Sequence, residues 1–265
     1  MIELSNRIIN DGGTPWAVGL ESGAASGWPG TDWIEDIMLR TAGPAIYDKW
    51  VAHEIPWTHP QVKKAFEYFG QIVLNPKLVL GGITGALTTN FGDSPSALFT
   101  KPPQAFLHRQ ATFIQGFIRN QNPGLKPGVD YDVFPFPPMN LELGKGVPIL
   151  VAGDVVNCFS KRPEVIKFAQ FLISVEAQKI WARELGELSS NKNTDPTWFT
   201  NAITRKAWAI LSTAKVSRYD GSDMMPTAVG AGSFWTGILD YVSGIPLDTV
   251  LETIEASATD AYSSK

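Results

Sequence analysis

The chain has 265 residues, of which 44% are hydrophobic, and a formal net charge of −4. This length and apolar content are enough for one large or two modest hydrophobic cores, which indicates a globular protein. The slightly acidic balance argues against a surface that binds nucleic acid or an anionic membrane. A single cysteine, Cys158, excludes an internal disulfide, and we expect it to be buried and unreactive.

No stretch approaches the roughly 18 consecutive apolar residues that a membrane-spanning helix needs. The residues after Met1 also lack the basic region followed by an apolar region that marks a signal peptide.

The first third predicts helices around a loop of small residues. Residues 3–10 resemble the end of a helix stopped by a glycine pair, and residues 14–20 a short strand. Asp32 and Glu35 have the spacing of a capping box, which predicts a helix over residues 33–39. A further helix begins at Pro60, with an apolar stripe formed by Val62, Phe66, Phe69, Ile72 and Val73.

The middle of the chain predicts two strands and a helix pair. Residues 105–111 indicate a strand that runs into a helix start, the usual location of binding groups in an open α/β sheet. Residues 148–156 form an apolar run broken by Gly153 and Asp154, which predicts a buried strand with a bend. Residues 163–173 predict an amphipathic helix, and Ser174 a cap for a second one that ends near Gly186.

The last part predicts three helices. Asp195 and Pro196 favour the start of a long helix through residue 213. A helix over residues 233–242 should stop at Gly244, and one over residues 247–261 should bury Val250, Ile254 and Ala258.

Several of these segments together resemble a known family. Residues 146–192 contain Gly153 and Gly186, together with the runs Arg162-Pro163-Glu164, Glu176-Ala177-Gln178, Trp181-Ala182 and Asn191-Lys192. Elsewhere stand the runs GWPGTDW at residues 27–33, HRQ at 108–110, FPFPPM at 134–139 and SFW at 233–235. The combination resembles the extracellular solute-binding proteins of carbohydrate ABC transporters, especially the α-glucoside type.

The resemblance implies an α/β, periplasmic-binding-protein-like (type II) fold of two lobes, here shortened at its N-terminus. Residues 1–140 would form the first part of the second, C-terminal lobe, and residues 195–265 its closing helices. Residues 146–190 would contribute to the first lobe. Because most of that lobe is absent, we expect either exposed apolar side chains at Val165, Phe168 and Leu172 or a rearranged placement of that helix pair.

The implied function is that of the substrate-binding component of an ABC importer. It would bind an oligosaccharide, an α-glucoside, between the lobes as a monomer, without cofactor or metal, and deliver it to the membrane permease. The location would be periplasmic or extracellular, with membrane contact through the permease or a lipid anchor.

Sugar recognition needs aromatic faces and several hydrogen-bonding groups. The candidates are Trp28, Asp32, His108, Arg109, Gly153, Asp154 and Trp235. The family motif favours stacking for Trp235, whereas core packing of Trp28 is an equal alternative, and Trp181 and Trp208 are expected in the core. Asp32 is alternatively a helix cap, Arg109 a structural ion pair and Asp154 an exposed turn residue.

An enzyme is the main rival class. Asp32, Glu35, Asp36 and Asp154 could supply a carboxylate pair for glycoside hydrolysis, although three of them suit one helix start. His53 and His59 lack metal-ligand spacing, and no known catalytic motif occurs. A sugar-processing enzyme and a fragment without independent activity therefore stay open as alternatives.

Overall fold

A computed structural model describes residues 1–139 and 148–263 as a mixed α/β, mostly helical molecule. In the described residues the α-helices are α1 (Ile2–Asn10), α2 (Trp28–Thr41), α3 (Pro44–Val51), α4 (Pro60–Val73), α5 (Gly82–Thr88), α6 (Ile114–Gln121), α7 (Pro163–Leu172), α8 (Val175–Ile180), α9 (Ala202–Thr213), α10 (Gly221–Met224), α11 (Trp235–Ser243) and α12 (Leu247–Ser263). The strands are β1 (Trp16–Ala17), β2 (Leu107–His108), β3 (Ile149–Val151) and β4 (Ser217–Tyr219).

The described strands form two small parallel sheets. In the first, Ala17 of β1 faces His108 of β2, and in the second, Val151 of β3 faces Tyr219 of β4. Both are shorter than the predicted strands over residues 14–20 and 148–156. In the first case the extended segment bonds to α5 instead, since the Leu20 amide donates to the carbonyl oxygen of Ala86.

The main hydrophobic core lies between α2, α4, α11 and α12. The predicted stripe of α4 is confirmed, because all five of its residues are buried. Trp57 sits at the centre of an aromatic group, with ring centroids 5.1 Å from Trp50 and 4.7 Å from Phe234. The predicted inward residues of α12, Val250, Ile254 and Ala258, are buried against this core.

The predicted start of α2 is wrong. The helix begins at Trp28, after Gly27 in the left-handed region with φ +104° and before Pro29 in the first turn. Asp32 and Glu35 therefore lie inside the helix rather than at its cap. Both are buried, with exposed fractions of 7% and 0%. Their side chains face other polar groups of the protein instead of the free N–H groups at the start of the helix.

The predicted long helix after Asp195 is also wrong. Asp195 caps only a short 3₁₀ turn, Pro196–Trp198, and α9 begins after Asn201, whose side chain accepts from the Thr204 amide. Phe199 between them is extended, and its side chain is buried in a small satellite cluster. The extended backbone at Phe199 separates this turn from α9.

Apolar side chains are exposed along residues 148–185. Phe168 is 61% exposed and α7 buries none of its residues, whereas Val165 and Leu172 are half-buried. The predicted exposure is thus confirmed for Phe168. Two core predictions are wrong, because Cys158 is exposed and Trp181 is 44% exposed where this segment meets few other elements.

Gly186 and Gly244 end their helices in the left-handed region, as predicted. The predicted segments 1–140 and 146–190 both run into residues 140–147, which lie outside the described residues. Within the part of the chain that the structure describes, no helix has both the length and the apolar character to cross a membrane.

Candidate functional site

The N-terminus of α2 lies directly against the start of α11. A Cβ atom added at Gly27 would stand 2.3 Å from the carbonyl oxygen of Trp235, so only glycine fits there. The Gly27 amide also donates to the carbonyl oxygen of Leu20 at 2.9 Å. Backbone contact thus brings the start of α2, which carries Trp28, to the segment that carries Trp235.

Trp28 belongs to a partly exposed aromatic group. Its ring centroid lies 5.1 Å from that of Phe91 and 5.9 Å from that of Phe113. Phe117 extends the group at 5.2 Å from Phe91 and is 37% exposed. Such a group offers flat apolar faces that suit the C–H side of a sugar ring.

Trp235 follows a π-helical turn, Ala228–Phe234, a type of turn that recurs at functional sites. Gly230 in this turn lies so close to Ser222 that an added Cβ would stand 1.9 Å from its carbonyl oxygen. The indole Nε1–H of Trp235 is buried and has no acceptor among the described residues. Because buried donors are normally paired, this donor is suited to a ligand.

His108 and Gln110 add two acceptors. The His108 Nδ1–H donates to the carbonyl oxygen of Ala17 at 3.0 Å, while Nε2 is buried without a described partner. Burial lowers the pKa of His108 to about 4, with Arg109 adding to the effect, so the ring is neutral at pH 7. The Oε1 atom of Gln110 is likewise buried without a described donor.

Arg109 forms the structural ion pair that the sequence left open as an alternative to ligand binding. Its Nη1 donates to Asp32 Oδ2 at 3.1 Å and its Nη2 to Asp36 Oδ2 at 2.5 Å. Arg40 also pairs with Asp36 and donates through Nε to the carbonyl oxygen of Phe136 at 3.0 Å. The resulting buried network ties α2 to the strand end at β2.

Burial shifts two carboxyl groups beside this network. Burial raises the pKa of Asp32 to about 7, and Arg109 opposes the shift. Burial, together with the charges of Asp220 and Asp32, raises the pKa of Glu35 well above its usual range. The sequence pattern predicts a capping role for Glu35 and gives no signal for Asp220, because Asp220 comes close to α2 only through the tertiary fold.

Gly153 and Asp154 stand apart from these contacts. Both are exposed, and the Tyr219 hydroxyl donates to the carbonyl oxygen of Gly153 at 2.6 Å. The expected buried bend is therefore wrong. The structure gathers five of the seven candidates, Trp28, Asp32, His108, Arg109 and Trp235, around α2 and leaves this pair on the second sheet.

A cavity of about 280 Å³ lies next to His108. Ser94 lines the cavity, and its hydroxyl lies 3.4 Å from His108 Nδ1. This volume is at the lower limit of small-molecule sites. Its lining residues include Ala17, Val18, Thr89, Asp93, Ser96 and Gln104.

The fold is similar to those of solved binding proteins. The structure superposes on the bacterial solute receptor AcbH, which has an exclusive preference for β-D-galactopyranose, with a TM-score of 0.72 and 20% identity. It also superposes on a chitin oligosaccharide binding protein with a TM-score of 0.76 and 15% identity. The superpositions cover 98% and 99% of this chain and 64% of each of those chains.

In sequence the chain is similar to bacterial solute-binding proteins. It is 48% identical over 257 residues to the osmoprotective compounds-binding protein GgtB of Synechocystis sp., covering 97% of this chain and 60% of that protein. It is 41% identical to the alpha-glucosides-binding periplasmic protein AglE of Rhizobium meliloti, covering 91% of this chain and 52% of that protein. The chain thus spans little more than half the length of these relatives. No family model matches it.

Proposed function

We propose that this chain provides most of the C-terminal lobe of the substrate-binding component of an ABC importer. The lobe binds an oligosaccharide of the α-glucoside type in a cleft between two lobes, and the closed form delivers it to the membrane permease. The observation that carries the proposal is the backbone contact between Gly27 and Trp235, which brings two candidate sugar-binding tryptophans to one place.

The chemistry of this place suits a sugar. The rings of Trp28, Phe91 and Phe113 offer apolar faces to the pyranose C–H groups. Trp235 Nε1–H donates to a hydroxyl, and His108 Nε2 and Gln110 Oε1 accept from others. Since each sugar hydroxyl both donates and accepts, all three buried atoms gain a partner on binding.

The α-glucoside class rests on the relatives. One is named for α-glucosides and another for osmoprotective compounds. Both are named as binding proteins, which favours binding without turnover. The carboxylates of Asp32 and Asp36 are moreover held by Arg109, which makes them poor candidates for a hydrolytic pair.

Within this proposal, residues 146–190 contribute to the first lobe, while residues 1–140 and 195–265 build the second. The exposed side chains of Phe159, Phe168 and Ile173, at 97%, 61% and 64%, support a packing role for this segment against further residues of that lobe. Gly153 and Asp154 then belong to the side of the cleft that this segment supplies.

The proposed setting is periplasmic or extracellular. The protein acts there as a monomer and meets the membrane through the permease or a lipid anchor. The name of one relative includes the word periplasmic, which supports this location.

Calorimetric titration with maltose, trehalose, sucrose and glucose tests the proposal. We expect saturable binding of one α-glucoside, with an affinity about 10- to 100-fold weaker in Trp235→Ala. Trp181→Ala is the matched control, because Trp181 is exposed and lies outside the site. Sugar recovered intact by chromatography excludes the hydrolase alternative, whereas product formation supports it.

Absence of binding by the folded chain, with binding by a polypeptide that also contains the first lobe, would mean that the site needs both lobes. Absence of binding in both proteins would contradict the carbohydrate assignment.

A further inference from the structure

Three buried carboxylates meet between α2 and the start of α10. Asp32 and Glu35 project from α2, and Asp220 immediately precedes α10. Their exposed fractions are 7%, 0% and 7%. One carboxylate oxygen from each lies within 4.8 Å of the corresponding oxygens of the other two.

Each of these carboxylates has one oxygen engaged by a protein donor. Arg109 donates to Asp32 Oδ2 at 3.1 Å, and the Ser222 amide donates to Glu35 Oε1 at 3.0 Å. The Ser222 hydroxyl donates to Asp220 Oδ1 at 2.8 Å. The second Glu35 oxygen, Oε2, is buried and has no donor among the described residues. A buried carboxylate oxygen without a donor needs a cationic or protonated partner.

The cations in contact with this region do not balance its charge. Arg109 bridges Asp32 and Asp36, and Arg40 pairs with Asp36. With Glu35 and Asp220, four carboxylates thus face two guanidinium groups. Buried charges are normally paired with an opposite charge or coordinate a metal ion, so one divalent cation would balance all four groups in their ionised form, in place of the protons that burial favours on Asp32 and Glu35.

We propose that Asp32, Glu35 and Asp220 form a binding site for a divalent cation with the ligand preference of Ca²⁺. All three donors are hard oxygens, without nitrogen or sulfur, which favours Ca²⁺ or Mg²⁺ over transition metals. Ca²⁺ accepts irregular arrangements of oxygen ligands, whereas Mg²⁺ demands a near-ideal octahedron. An oxygen set drawn from one helix and a distant turn suits the less demanding ion.

The bound cation fastens the segment around Asp220 to α2. The two segments are far apart in sequence, since Glu35 and Ser222 are separated by 187 positions. The cation therefore stabilises the support of the tryptophan site, an inference that goes beyond carbohydrate binding and does not depend on it.

The test uses the full chain after removal of metal with EDTA. Thermal unfolding is measured with CaCl₂ or MgCl₂ added, and calorimetry gives the stoichiometry. We expect one Ca²⁺ per chain and, at about 100 times the dissociation constant, a midpoint raised by about 5 °C or more. Glu35→Gln should abolish both effects, whereas Glu187→Gln, at a half-buried glutamate outside the cluster, should retain them.

Two results would overturn the proposal. The first is that neither Ca²⁺ nor Mg²⁺ binds or stabilises the unmodified chain, in which case Glu35 carries a proton instead. The second is Ca²⁺ binding of unchanged affinity in Glu35→Gln, which would place the ion elsewhere. If Glu35→Gln does not fold, Asp220→Asn serves in its place, and the titration of the unmodified chain decides by itself.

Discussion

His108 shows how one side chain of the candidate site combines structure and recognition. Its Nδ1–H bonds to Ala17 across the first small sheet, which fixes the tautomer and leaves Nε2 as an acceptor. Burial keeps the ring neutral by lowering its pKa to about 4. The same burial makes the folded state sensitive to acid.

His108 should make stability depend on pH. Its folded pKa of about 4 lies below the unfolded value of about 6.5, so the unfolded chain binds the proton first as pH falls. The contribution is fully present above pH 6.5 and is lost towards pH 4, up to on the order of 3 kcal/mol. Urea unfolding across this range measures it, and His108→Gln should flatten this part of the profile. An unchanged profile in the variant would assign the acid sensitivity to other groups.

The starts of α2 and α11 determine the geometry of the site. The close approach of α2 to α11 depends on Gly27, and the π-helical turn before Trp235 depends on Gly230. Neither feature is visible as hydrophobic periodicity, so the sequence pattern indicates the capping box at Asp32 rather than Gly27 as the start of α2.

Gly27→Ala should destabilise the fold by about 2–4 kcal/mol, because it adds a steric clash with Trp235 to an unfavourable φ of +104°. Gly23→Ala is the matched control, since its φ is +56° but an added Cβ meets nothing within 4 Å. Chemical denaturation should therefore show a smaller loss for Gly23→Ala, near the cost of backbone strain alone. Equal losses in the two variants would show that the contact with Trp235 contributes nothing.

The exposed face of α7 leads to a second prediction about a single helix. Phe168→Ala should leave the free energy of unfolding nearly unchanged and reduce binding of a hydrophobic dye, because the ring is 61% exposed. Phe66→Ala, at a ring with 0% exposure in the main core, should cost about 3–5 kcal/mol. A large loss of stability in Phe168→Ala would instead mean that the chain buries this ring in solution.

Across the whole molecule, the sequence predicts the structural features that depend on local residue spacing. The stripe of α4, the inward face of α12 and the glycine stops at Gly186 and Gly244 follow from residue spacing and backbone preference. Residues Asp220, Phe91 and Phe113 join the site only through tertiary contacts, so no local pattern could select them. The exposures of Cys158 and Trp181 do not follow from the sequence, because their apolar neighbours in sequence resemble those of core residues.

The most direct test of the account is to follow the indole N–H signals of the nine tryptophans by NMR during titration with an α-glucoside. Single substitutions assign the signals of Trp28, Trp235 and Trp181. If the chain alone does not bind, the titration uses a polypeptide that also contains the first lobe. We predict a large saturable shift for Trp235, whose Nε1–H gains an acceptor, a smaller one for Trp28, and none for Trp181. Saturable sugar binding that leaves the Trp235 and Trp28 signals unmoved would place the ligand elsewhere and contradict the account.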